Sequence, residues 1–354
     1  MGFLRFPWTI EASIHFVINQ IRSLTVIKTE FTRIFGVEAP VVSAPVSPTP
    51  ELAAAVSNAG GLGLLPLTWL RAKAIREVIR ETHQRTDRPF GINLVLDEPR
   101  DEQLEAALGE GVRVVTFFWG DPAPYIDRVH EAGALATLTI GSAEEARRAA
   151  DAGVDAVVAQ GWEAGGHVWS RVATLPLVPV VKSAVGSMPV LAAGGIGDGR
   201  GLAAVLALGA DAAWVGTRFV ASEEAPFTPS YKEGVVTSSE SEGVYTTLFD
   251  VGWPDAPHRV LPNSTLAKWE AAGRPESGSR PGEGEIVATA PDGEQLPRYG
   301  ISEPYADMSG DLEALAHYAG QSAGLVEGIE PAGAIVHRMV KEAEEIFGRL
   351  RGDS

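Results

Sequence analysis

Between Pro40 and Thr217 short apolar runs alternate with helix-patterned segments eight times, and no other feature of the chain restricts its fold so strongly. The runs are Val41–Ala44, Leu62–Leu65, Phe90–Leu94, Val114–Phe118, Ala134–Thr139, Ala156–Ala159, Val190–Ala193 and Ala212–Val215. Near-continuous apolar strands that each lead into a helix describe a parallel sheet covered on its outer face. Eight such units favour closure, so the expected fold class is α/β, a (β/α)₈ TIM barrel. Local signals agree with this reading. Thr49-Pro50 is a helix start with Thr49 at the N-cap, and Ser142 followed by Glu144-Glu145 opens another helix that ends at Gly153.

Two departures from the rhythm define the domain organisation. After the sixth strand the connection lengthens and carries Gly161-Trp162-Glu163-Ala164-Gly165-Gly166-His167. After the eighth strand no helix is expected until about Pro331–Leu350, where Ile335, Met339 and Ile346 form one apolar stripe. The intervening stretch is rich in Gly, Pro, Ser and charge, above all across Gly273–Gly284. The expected organisation is therefore a helical extension over 1–35, a barrel over 36–221, a smaller inserted domain over 222–330, and a closing helix over 331–354. In the extension Ile10, Ile14, Val17, Ile18 and Ile21 recur at helical spacing.

Chemistry concentrates on the C-terminal face of the expected barrel. Ala192-Ala193-Gly194-Gly195-Ile196-Gly197-Asp198 follows the seventh strand, and Gly216-Thr217-Arg218-Phe219 follows the eighth. Barrels often grip phosphate in the loops after these two strands, because glycine lets the backbone approach an anion and exposed N–H groups point at it. Either pair alone marks a turn; together they indicate a phosphate-bearing cofactor. His167 lies on the same face, where Gly165-Gly166 lets its ring reach inward and where imidazole, titrating near neutrality, suits acid–base or anion-stabilising work. No second His or carboxylate stands beside it at ligand spacing, so no metal role is expected. Asn93 and Gln160 end the third and sixth strands. Their amides either cap loops or donate to a heterocyclic carbonyl or ring nitrogen. Trp119 is a platform or a packed aromatic, and Lys232 and Tyr299 are further candidates.

Composition narrows the partners. With 354 residues, 45% apolar and 21% charged, the chain has a globular composition. A formal net charge of −17 opposes binding to nucleic acid or anionic membranes. The absence of cysteine excludes disulfides, thiolate catalysis and Cys-ligated metals. The first residues fail the myristoylation pattern at Phe6, and Glu11, His15, Asn19 and Arg22 break the apolar stretch, so neither an anchor nor a span is expected. A cytoplasmic setting is the simplest expectation, and a homodimer is compatible with it.

As a set, Pro50–Gly63, Phe90-Gly91-Ile92-Asn93, Gln160-Gly161 with the Glu163–His167 segment, Ala192–Ile196 and Gly216–Phe219 resemble the nitronate monooxygenase family of FMN-dependent TIM barrels. Tyr231-Lys232-Glu233 and Tyr318–Leu325 match as well, so the resemblance runs from about Glu38 to the C-terminus. It implies FMN as cofactor, with Ala44, Asn93, Gln160, Gly165 and Gly166 beside the flavin and Gly194, Gly195, Gly216 and Thr217 on its phosphate. It implies that His167 binds or deprotonates the substrate, and that alkyl nitronates are oxidised by O₂ to a carbonyl compound and nitrite. One stretch departs from the pattern. The family usually has Met after the first-strand Ala-Pro, whereas this chain reads Ala44-Pro45-Val46-Ser47-Pro48. Two competing expectations are an NAD(P)H-dependent reductase of enoyl thioesters, which shares the barrel and its glycine turns, and a non-catalytic flavin-binding protein.

Overall fold

A computed structural model describes residues 27–352, and the isoleucine-spaced stretch at 10–21 lies outside them. Eight parallel strands alternate with helices and close into a (β/α)₈ barrel. Its wall runs β1 (Val41–Ser43), β2 (Gly63–Pro66), β3 (Phe90–Val95), β4 (Val114–Phe118), β5 (Leu135–Ile140), β6 (Ala156–Gln160), β8 (Val190–Ala193) and β9 (Ala212–Val215). The short β7 (Gly166–His167) belongs to a separate sheet. Closure between β1 and β2 is narrow, a single Val42–Leu62 bridge carried by Leu62 N–H to Val41 O at 3.0 Å and Ser43 N–H to Leu62 O at 3.0 Å.

The burial pattern explains why strands and helices alternate. Val41, Val115, Phe117, Val157 and Ala213 face outward into a core shared with the helices. Their neighbours Val42, Val114, Val158, Leu191 and Trp214 face inward and fill the barrel. Both faces are apolar, as strands covered on both sides require. The helix Glu30–Phe35 seals the lower end by placing Phe31 and Phe35 in the inner cluster. Its boundaries are fixed by sequence. Thr29 and Thr32 form a reciprocal capping box, and Gly36 terminates it in the left-handed conformation.

Ser142 caps its helix, its Oγ accepting the Glu145 N–H at 3.2 Å. Thr49 occupies the N-cap position before Pro50, yet its hydroxyl pairs with Ser47 Oγ at 2.8 Å and makes no cap bond. A one-turn helix, Thr217–Val220, follows β9 directly, where the sequence suggested none. The full-length eighth helix is Ala332–Arg351, which packs on Gly199–Ala207 and Pro50–Asn58 and so completes the outer ring. A Cβ at Gly199 would stand 2.5 Å from Met339 O, so the two helices meet where one has no side chain.

Between these ends the chain builds Pro229–Thr237, Ser264–Ala271 and two small antiparallel sheets. One sheet joins β10 (Val244–Thr246), β11 (His258–Val260) and β7, with His258 opposite His167. The other joins β12 (Ile286–Thr289), β13 (Gln295–Pro297) and β14 (Ser309–Gly310). Among the described residues no helix is long and apolar enough to cross a membrane.

Candidate active site

A cavity of about 610 Å³ opens at the C-terminal ends of the barrel strands. Ala44, Asn93, Gln160, Gly165, Gly166, His167, Gly194, Gly195, Gly216 and Thr217 all line it. The three weaker candidates do not. Trp119 packs edge-on against Trp169 and Trp253, Lys232 donates to Ser222 O at 2.7 Å, and Tyr299 donates to Pro281 O at 2.8 Å.

The two glycine turns are built by backbone demands. Gly194 and Gly195 have φ of +99° and +75°, where an L side chain is strained. Among the described residues the amides of Gly194, Gly195, Gly216 and Thr217 donate to no protein acceptor. Thr217 Oγ1 accepts the Gly320 N–H at 2.9 Å, which ties the second turn to the late Tyr318–Leu325 stretch. That stretch also touches the loop after β6. A Cβ on Gly165 would lie 2.3 Å from Gly320 N, and one on Gly320 would lie 2.6 Å from Gly165 N. Two backbones cross there, and only glycine fits either side.

Bonds from Glu163 and Arg259 hold that loop. Glu163 accepts the Thr174 N–H at 2.9 Å, fastening the loop to the start of the next helix. The buried Arg259 guanidinium donates to Trp162 O at 3.0 Å and stacks over the Trp162 ring at 4.2 Å. His167 is then held by Trp253 at 4.1 Å and by His258 and Tyr318 at 5.4 Å, ring centre to ring centre. Its Nε2 is buried with no hydrogen-bond partner. Burial, and secondarily the facing His258, push the His167 imidazole well below its ordinary range. The expectation of titration near neutrality is corrected. His167 is a neutral ring at physiological pH, because an apolar surround penalises the cation.

Both amides are engaged by the protein. Asn93 turns its NH₂ to Thr116, donating to Oγ1 at 3.0 Å and to the carbonyl at 3.3 Å. The atom it leaves for a ligand is the carbonyl oxygen, an acceptor. Gln160 donates to His167 O at 2.9 Å and accepts the Trp169 N–H at 2.8 Å, so it splints the His167 loop.

Sequence reasoning passed over the wall that the segment after β9 contributes around His167. Trp253, Tyr231, Glu303, Tyr305 and Tyr318 line the cavity from the segment after β9. Tyr231 and Tyr318 lie in stretches quoted for the family resemblance, which was a usable signal. Glu303-Pro304-Tyr305 and Trp253 stand in irregular chain with none. Among the described residues, no Lys, Arg or Asp lines the cavity.

A profile of the nitronate monooxygenase family matches residues 28–342. A nitronate monooxygenase of Paraburkholderia phytofirmans is 32% identical over 368 residues, covering 90% of this chain and 96% of that protein. A Mycobacterium tuberculosis protein named (3aS,4S,5R,7aS)-5-hydroxy-7a-methyl-1-oxo-octahydro-1H-indene-4-carboxyl-CoA dehydrogenase is 37% identical over 253 residues, 70% of each chain. The solved structure of FabK from Thermotoga maritima superposes with a TM-score of 0.76 at 34% identity, covering 93% of this chain and all of that one.

Proposed function

The chain belongs to the nitronate monooxygenase family and is a flavin-dependent oxidoreductase, and from that premise we propose that it binds FMN and oxidises alkyl nitronates with O₂ to a carbonyl compound and nitrite. One observation carries this reading. The cavity wall carries polar groups that the protein leaves without partners, four turn amides and the Asn93 carbonyl oxygen, with the His167 ring beside them. Polar groups on a cavity wall that have no protein partner are left for a ligand or water to satisfy, and here they gather around one space.

That set fits FMN. The amides of Gly194, Gly195, Gly216 and Thr217 would take the phosphate. With no Lys or Arg on the wall, the anion would rest on backbone dipoles alone. Asn93 would accept a ring N–H from the flavin, and Ala44, Gly165 and Gly166 would border the ring without side-chain bulk. The cofactor supplies the redox chemistry between substrate and O₂. The protein's part is binding, orientation and exclusion of water. His167, a neutral ring on the cavity wall, would donate an N–H to a nitronate oxygen or, in the other tautomer, take the α-proton of a neutral nitroalkane.

A second reading, NAD(P)H-dependent reduction of an enoyl thioester, is favoured by the likeness to a relative named for a CoA thioester. The two separate in one pair of assays. The first reading expects a yellow protein that consumes O₂ and releases nitrite from a nitronate without NAD(P)H. Bleaching by NAD(P)H followed by recolouring with an enoyl thioester, and no nitrite, would transfer the assignment to the second. A protein that neither carries nor takes up FMN would end both.

A further inference from the structure

Glu303 is the one carboxylate set among the aromatic side chains of the cavity, and no reading so far gives it a task. Its place is fixed by the backbone on either side. Thr228 N–H donates to Pro304 O at 3.0 Å and Ala306 N–H to Pro226 O at 2.8 Å, so residues 304–306 run antiparallel to 226–228 with Phe227 opposite Tyr305. Tyr231, Tyr305 and Tyr318 are the titratable groups facing it, and each feels its charge. Two of these hydroxyls are engaged elsewhere. Tyr231 donates to Tyr318 O at 2.5 Å, and Tyr318 donates to Ile301 O at 3.1 Å. Tyr305 is left as the hydroxyl that favours the Glu303 carboxylate. Among the described residues no cation pairs with Glu303, and none lines the cavity. Asp307 bears on Tyr305 and not on Glu303, and the remaining carboxylate on the wall, Glu294, is exposed.

We propose that Glu303 sorts substrates by charge: as the neutral acid it donates a hydrogen bond to an anionic head group in the cavity, and as the carboxylate it repels that head group. The proposal rests on the nitronate reading, in which the substrate is an anion entering a space with no Lys or Arg. Burial raises the Glu303 carboxyl to about 7, with its own backbone N–H and the Tyr305 hydroxyl pulling the other way. The switch therefore falls near neutral pH, where His167 is already uncharged and does not titrate alongside it.

The test is calorimetric titration of the purified protein with isobutyrate, which stays ionised from pH 6 to 8, and with isobutyramide, its uncharged counterpart. Isobutyrate binding should weaken about tenfold from pH 6 to pH 8, the span across a single group of pKa near 7. Isobutyramide binding should stay level. In Glu303→Gln the isobutyrate profile should flatten. In Tyr305→Phe its inflection should move to higher pH, because the donor that favours the carboxylate is gone. The second variant keeps the test decisive if the first fails to fold. A level isobutyrate profile in the wild type, failure of isobutyrate to bind at pH 6, or a slope that survives in Glu303→Gln would each overturn the proposal. Because no turnover is measured, loss of nitronate oxidation with this binding profile intact would remove only the functional reading.

Discussion

Along the barrel wall Val41, Val115, Phe117 and Val157 are buried by one repeating pattern, while the segment between Ser222 and Glu330 buries three arginines. Arg259 reaches Trp162 O, Arg280 reaches Asp250 and Glu283, and Arg298 reaches Glu285 and Thr265. The barrel is thus held by apolar area, which is non-directional and spread over many residues. The segment has small apolar clusters of its own and adds to them a few directed bonds from its buried arginines, several of which join positions far apart in sequence. The first kind tolerates the loss of any one contact, whereas the second concentrates stability in single side chains. The cavity lies where the two meet, with β7 carrying His167 into the segment's sheet.

His167 is the sharpest place to break that comparison, since it belongs by sequence to the barrel and by strand pairing to the segment's sheet. His167→Ala should lower kcat about 10²–10⁴-fold, the usual worth of a positioned acid–base group, while the flavin absorbance remains. A variant with full turnover would remove the residue from the chemistry altogether. Next in size is Arg280→Met. It strands Asp250 at 2.8 Å and Glu283 at 2.5 Å without their cation, and removes the guanidinium from the Tyr299 face at 4.3 Å. The expected cost is about 2–3 kcal/mol, less than for a fully buried pair because both carboxylates keep contact with water. Urea unfolding followed by tryptophan fluorescence measures it, and a loss under 0.5 kcal/mol would show that the segment does not depend on its arginines.

A pH series probes the junction from the segment's side. His258 is neutral by construction, its Nδ1–H donating to Ala256 O at 2.9 Å and its Nε2 accepting the Phe249 N–H at 3.2 Å. Burial lowers its imidazole to about 4. The unfolded chain, titrating near 6.5, takes up the proton first, so stability is full above that pH and declines as pH falls toward 4. At pH 5 the loss from this group is about 2 kcal/mol relative to pH 7. His167 adds in the same direction. His258→Gln should reduce the slope, leaving the part due to His167. An unchanged slope would place the acid sensitivity elsewhere.

The same contrast governs how much could be read from sequence. The eight strands were legible because burial on both faces leaves short, near-continuous apolar runs, and the Gly194-Gly195 turn because positive φ restricts residue choice. The engagement of the Asn93 NH₂ by Thr116 was not legible, since it depends on the register between neighbouring strands. Nor was the neutral state of His167, which follows from Trp253 and His258 arriving from a segment with no periodicity. Glu303 and Tyr305 were missed for that reason too. Their placement comes from an antiparallel pairing with 226–228 that joins chain about 78 residues apart, and no short pattern encodes such a meeting.

The smallest expected effect tests the barrel's side of the comparison. Ser142→Ala removes the hydroxyl that accepts the Glu145 N–H, which should cost about 1 kcal/mol. Glu145 stands at a crossing of interests. Its carboxylate also accepts the Gly141 N–H at 2.7 Å and the Trp169 indole N–H at 2.8 Å, and the Trp169 backbone N–H in turn donates to Gln160. A route therefore exists from this cap to the splint behind His167. If apolar packing sets the barrel's geometry, those other bonds keep Glu145 in place, and Ser142→Ala lowers the midpoint of unfolding without changing kcat. A fall in kcat of threefold or more, with flavin still bound, would mean that the outer helices steer the cavity through directed bonds. The barrel and the segment would then differ in how visible their bonding is in sequence, but not in kind.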